Sequence, residues 1–70
     1  MTVEIFKTNV TSHQDAGSLV SKLCMLFPGS RINFDLHDCD HILRVEAKIV
    51  HIDQIISALT EKGFSCEVLT

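Results

Sequence analysis

Five consecutive residues, His37-Asp38-Cys39-Asp40-His41, gather imidazole, thiol and carboxylate, the side-chain types that ligate zinc and similar ions. Together with His13, a possible neighbour across one end of the fold, they define a candidate metal set of His13, Cys39 and His41. A second constellation, Ser12, His13 and Asp15, contains the three side-chain types of a hydrolytic triad. On a single helical turn these cannot reach the in-line arrangement that a triad needs, and no glycine pair accompanies them to form an oxyanion hole. Their spacing suits another purpose, a capping box: the Ser12 hydroxyl accepts from a free backbone N–H and the Asp15 carboxylate reaches back to the cap. The three cysteines, Cys24, Cys39 and Cys66, are odd in number, widely spaced and without a C-x-x-C pair, so neither a disulfide framework nor a dithiol redox motif is written here. Cys24 and Cys66 read as reduced, buried thiols that behave as small apolar residues.

The elements that position these residues follow from the periodicity. Thr2 to Val10 is rich in β-branched and aromatic residues and reads as a strand. Its facing is open: Val3 and Ile5 share one parity, Phe6, Thr8 and Val10 the other, and a bulge or twist is expected to let both sets reach the core. From Ser12 to Phe27, Ala16, Val20, Leu23 and Phe27 recur at helical intervals with Leu19 and Leu26 on the flank, and Pro28-Gly29-Ser30 ends the helix. Residues 31–37 and 42–48 alternate strictly. Pairing Leu36 with Leu43, Phe34 with Val45 and Ile32 with Ala47 puts Cys39-Asp40 at a hairpin tip, with room for a somewhat wider loop. In that register His37 and His41 point to opposite sides of the ribbon. A tight hairpin also presents two or three side chains to one point where a structural zinc site takes four, so a solvated turn with an Asp38–His41 cross-strand pair is the favoured reading of the cluster. Ile52, Ile55, Ile56 and Leu59 form a second helical stripe that closes at Lys62-Gly63, with His51 on the surface at its start, and residues 64–69 read as a short last strand.

The order β-α-β-β-α-β, with right-handed crossovers, predicts an α+β, ferredoxin-like sandwich of residues 1–70: an antiparallel sheet in order 4-1-3-2 with both helices on one face. That topology places residues 9–13, the tip 38–41 and the turn 62–65 at the same end, where local function is expected.

Seventy residues, 46% hydrophobic and 21% charged, fit one small domain whose periodic apolar residues are all needed for the core, so a deep catalytic cavity and an enzyme are not expected. Nine acidic residues outnumber six scattered basic ones for a net charge of −3, which leaves no cationic stripe for nucleic acid or an anionic membrane. The first ten residues lack the pattern of a secretion signal and no apolar run reaches ~20 residues, so the reading is cytoplasmic. TNVTSHQDAG has no arginine for a phosphate-cradling loop. The outward residues of the third strand, Arg44, Glu46 and Lys48, offer no stacking platform for RNA.

With that order, the V-T-S-H-Q-D stretch after strand one and the SALTEKGFSCEV join before the last strand, the chain resembles the heavy-metal-associated domains of copper chaperones and metal-transporting ATPases. The family holds a soft metal through M-x-C-x-x-C at the start of the first helix. Here Val10-Thr11-Ser12-His13-Gln14-Asp15 stands there, with Ser12 and Asp15 in place of the two cysteines. Lys62 falls where some members place a lysine that balances the metal–thiolate charge. The resemblance therefore implies a non-catalytic binding or regulatory module without the family's metal chemistry and without a cofactor. Its partner would be another protein, or a second copy through the sheet. A single outward Phe6 or Ile5 is expected to be exposed without function, whereas a contiguous patch with Ile42 and Leu69 would mark a partner or self-association; a third expectation is dimerisation through a sheet edge, strand two or strand four. The alternative is a zinc- or copper-binding protein that uses His13 with Cys39 and His41.

Overall fold

A computed structural model describes residues 1–69. Its elements are β1 (Thr2–Thr8), α1 (His13–Leu26), β2 (Arg31–Asp35), β3 (Ile42–Ala47), α2 (Ile52–Glu61) and β4 (Cys66–Val68). The strands form one antiparallel sheet in the order β2-β3-β1-β4, which is the expected 4-1-3-2 read from the other edge. The architecture is α+β, four antiparallel strands and two helices. Among the described residues no helix is long and apolar enough to cross a membrane.

The two facings of β1 are resolved by burial. Phe6 is fully buried, as is Val10 just beyond the strand, and Thr8 is nearly so, whereas Val3 and Lys7 are exposed and Ile5 is half-buried. Pairing with β3 runs without a skipped residue from Thr2↔Ala47 to Phe6↔Leu43, so the expected bulge is absent and only the even-numbered set reaches the core. Phe6 is thus not part of any exposed patch; Ile5 takes the open face. On the core side Phe6 joins Leu43, Val45, Ala16, Leu19, Leu23, Ile55, Ala58 and Leu59 in one cluster drawn from both helices and one face of the sheet.

The hairpin departs from the expected register by two residues: Phe34 pairs with Leu43 and Ile32 with Val45. A two-residue slip keeps every side chain on its own face, so alternation alone cannot distinguish the two alignments. Turn chemistry and β1 decide it. The Asp35 carboxylate accepts the His37 N–H (3.1 Å), the Asp38 carboxylate accepts the Asp40 N–H (2.9 Å), and the His41 N–H donates to the Asp38 carbonyl (3.0 Å). These bonds release residues 36–41 from the ladder as a wider loop, and His41 re-enters β3 at φ +46°, in the left-handed region.

In α1 the buried line is Ala16, Leu19 and Leu23; Val20 and Phe27 are half-buried, and Leu26 is exposed. Cys24, expected inside, is on the surface. Both helices stop by backbone chemistry. Gly29 (φ +85°) makes the turn into β2. Gly63 (φ +87°) ends α2, where the Phe64 N–H closes on the Leu59 carbonyl (3.0 Å). β4 is shorter than residues 64–69, although the Leu69 N–H still donates to the Ile5 carbonyl (2.8 Å).

Candidate functional site

The three connections expected at one end of the sheet do meet there, and β1 is what ties them together. Thr8, the one buried polar residue of the described core, donates its backbone N–H to the Asp40 carbonyl (3.1 Å) and its hydroxyl to the His41 carbonyl (2.6 Å). The same hydroxyl accepts the Val10 N–H (3.2 Å). One residue later the Asn9 side-chain carbonyl accepts the Ser65 N–H (2.8 Å) from the α2–β4 turn. A buried hydroxyl in so small a core is tolerated because it both donates and accepts. Neither Thr8 nor Asn9 was expected to act as a fastener, although a threonine on the buried parity of a strand, followed by asparagine, was the available signal.

Ser12 caps α1: its hydroxyl accepts the N–H groups of Gln14 (3.1 Å) and Asp15 (3.3 Å). The reciprocal half of the capping box does not form, since among the described residues no bond joins the Asp15 carboxylate to the Ser12 N–H. Asp15 instead faces a depression of about 280 Å³ shared with Lys22, Lys62 and Phe64. A carboxylate in the first turn still favours the helix electrostatically. Lys62 therefore shares this depression with Asp15 rather than a thiolate.

Of the expected metal set, His13, Cys39 and His41, only Cys39 belongs to a group of possible ligands among the described residues. His13 stands beside His37, ring centroids 6.5 Å apart. Cys39 Sγ and one carboxylate oxygen each of Asp38 and Asp40 lie within 4.8 Å of one another, which is the group of three possible ligands that forms among the described residues. His41 is not in it; its Nδ1 is buried without a hydrogen-bond partner. Asp38 and His41 are joined as a turn through the backbone rather than as a side-chain pair across strands. Asp40 also lies 3.9 Å from the Lys7 ammonium. Cys66, half-buried at this end, has its thiol pushed up from 9.0 to about 11, first by burial and then by the neighbouring Glu67 carboxylate. It is therefore a weak nucleophile at neutral pH.

The opposite end has another character. Met25, Leu26 and Ile49 are 82%, 53% and 71% exposed, and Leu26 and Ile49 border an open depression of about 480 Å³ also lined by the Phe27–Ser30 turn, Ala47, Lys48 and His51. The exposed His51 ring stacks on Phe27, centroids 5.8 Å apart and planes 19° from parallel. This surface was missed. Its signal was Cys24-Met25-Leu26-Phe27, four consecutive apolar residues that no helix can bury on one face. On the open side of the sheet Ile5 and Leu69 are adjacent across strands, while Ile42 and Val3 stand among charged neighbours Arg44, Glu46 and Lys7. In comparisons with known proteins, no family model, curated protein or solved structure matches this chain.

Proposed function

We propose that the chain is a non-catalytic binding module: a ferredoxin-like domain resembling a heavy-metal-associated domain without its thiolate pair, which docks a protein partner with its apolar end. The observation that carries this reading is the exposure of Leu26 and Ile49 in the lining of one depression, with exposed Met25 next to Leu26 in the chain. Large apolar side chains grouped at one end of a small domain, while the other end is polar, mark a surface that a partner covers. Ile49→Asp and Leu26→Asp test it. Both positions are more than half exposed, so the melting temperature should hold within a few degrees. A protein captured by cross-linking to the wild type should be lost from both variants; identical capture by wild type and variants would remove this reading.

A second reading, a metal-ion site at the hairpin loop, rests on the approach of Asp38, Cys39 and Asp40. Zinc at ~100 times its dissociation constant would stabilise the fold by about 2.7 kcal/mol, a rise of roughly 10–20 °C for a domain of this size, and Cys39→Ser would abolish the rise. An unchanged melting temperature with zinc and with Cu(I) ends it.

A further inference from the structure

β2 is one of the two edge strands, and its sequence is Arg31-Ile32-Asn33-Phe34-Asp35. Pairing with β3 is continuous, so no bulge turns this edge away, and it carries no proline, glycine or inward-pointing charge. Bulges, prolines and inward-pointing charges are among the devices that normally keep an open edge from pairing; the charges β2 does carry, Arg31 and Asp35, point to the open face. The order of residue types also has a symmetry. Laid antiparallel against a copy of itself about Asn33, the strand sets Arg31 opposite Asp35 of the other copy at both ends, and Ile32 opposite Phe34 on the helix side. Both ion pairs fall on the open face and both apolar pairs on the covered face, as the alternation requires.

The ground beside the edge is prepared in the same sense. A groove of about 300 Å³ runs between β2 and α1, lined by His13, Ala16, Gly17 and Val20 on the helix and by Ile32 and Phe34 on the strand. The charged residues of α1, Asp15 and Lys22, are on its other flank, facing Lys62 and Phe64. At Gly17 a Cβ would meet nothing within 4 Å, so the helix is bare where a second α1 would approach. The other free edge behaves differently: β4 is three residues long, and the same operation there sets Glu67 against Glu67.

We infer that two copies of the chain associate through β2, antiparallel about Asn33, to give a continuous eight-stranded sheet with all four helices on one face, held by two Arg31–Asp35 pairs. The two-fold axis through Asn33 makes the contact isologous and closed, so it stops at a dimer. This inference uses a surface other than the apolar end, so it and the preceding reading fail separately.

Two single charge reversals test it. Arg31→Asp makes the edge doubly acidic and Asp35→Arg makes it doubly basic, so each should weaken self-association at least about tenfold. Mixed one to one, the two variants regain both opposite-charge pairs and should associate as a heterodimer. The assay is sedimentation equilibrium of the full chain over roughly 10 μM to 1 mM, a span suited to a weak dimer. Wild type should move from 7.8 kDa toward twice that mass, each variant alone should stay lower, and the mixture should recover the wild-type behaviour. Asp35→Arg also removes the bond to the His37 N–H, but mixing cannot restore a turn, so recovery reports the interface. Wild type that stays monomeric throughout, variants that dimerise as wild type does, or a mixture that stays monomeric would each overturn the inference; in the first case an extended segment of a different protein would become the candidate occupant of the edge.

Discussion

Thr8 offers the sharpest test of how the loop end is held. Thr8→Val keeps the shape of the side chain and its place beside Phe6 and Val10 but deletes the hydroxyl, stranding the Val10 N–H and the His41 carbonyl. The first of these is buried and bears a full unsatisfied-group cost of about 1–3 kcal/mol, while the second is partly reached by water and costs less, so the loss totals about 2–4 kcal/mol. For a domain of this size that is most of a total stability of roughly 3–5 kcal/mol. Thr8→Ser is the companion change. It retains both bonds and gives up one buried methyl, about 1 kcal/mol. Thermal melts followed by circular dichroism should rank wild type above Thr8→Ser above Thr8→Val, with the last lower than wild type by roughly 10–30 °C. Amide exchange at Val10 should quicken in Thr8→Val and stay slow in Thr8→Ser. Should Thr8→Val melt within a couple of degrees of wild type, or above Thr8→Ser, the idea that this hydroxyl clasps the end of β1 to the hairpin loop would be refuted.

Ser12→Ala removes the acceptor for the Gln14 and Asp15 N–H groups and should cost about 1 kcal/mol, read as a melting temperature lower by several degrees; no change would mean that water caps α1 equally well. Gly17 lies inside α1 with a negative φ and open space around it, so Gly17→Ala should raise the stability of the monomer by about 0.5–1 kcal/mol in urea unfolding at low concentration, and a lower midpoint would contradict it. The Cys66 thiol has a higher pKa folded, about 11, than the ordinary 9.0, so the unfolded chain loses that proton first as pH rises. Stability from this group is therefore complete below pH 9 and is lost from there to about pH 11. Wild type should lose more melting temperature than Cys66→Ala between pH 8 and 11, and parallel losses would show that the thiol is not desolvated as described.

The element order and sheet order were legible because period-2 and period-3.6 patterns leave few topologies for a chain this short. What escaped was decided by polar groups that act across the sequence. Alternation in residues 31–37 and 42–48 is satisfied equally by two registers, and the choice fell to the Asp35 and Asp38 carboxylates and to the hold of Thr8 on residues 40 and 41. The facing of β1 was ambiguous because Val3 and Ile5 are as apolar as Phe6 and Val10. The burial of Phe6, Thr8 and Val10, together with the unbroken register against β3, shows that the pair Val3 and Ile5 faces outward. The ligand-type residues were visible, yet their grouping was not: His13 lies near His37 in space, and the residues that flank Cys39 in sequence, Asp38 and Asp40, are the ones that surround it.

The separation of a carboxylate- and imidazole-rich pole from a pole of Met25, Leu26 and Ile49, in a body no more than 27 Å long, gives the folded chain a permanent attitude at any oil–water boundary. On a lightly alkylated resin or a graphite surface it would settle with the α1–β2 turn downward and the hairpin loop toward the liquid. Sulfate would strengthen that adhesion without first unfolding the protein, because it drives apolar area out of water wherever that area already lies bare. A tag or fluorophore joined to Cys39 would then stand clear of the solid, while one joined beside Ile49 would be pinned beneath it.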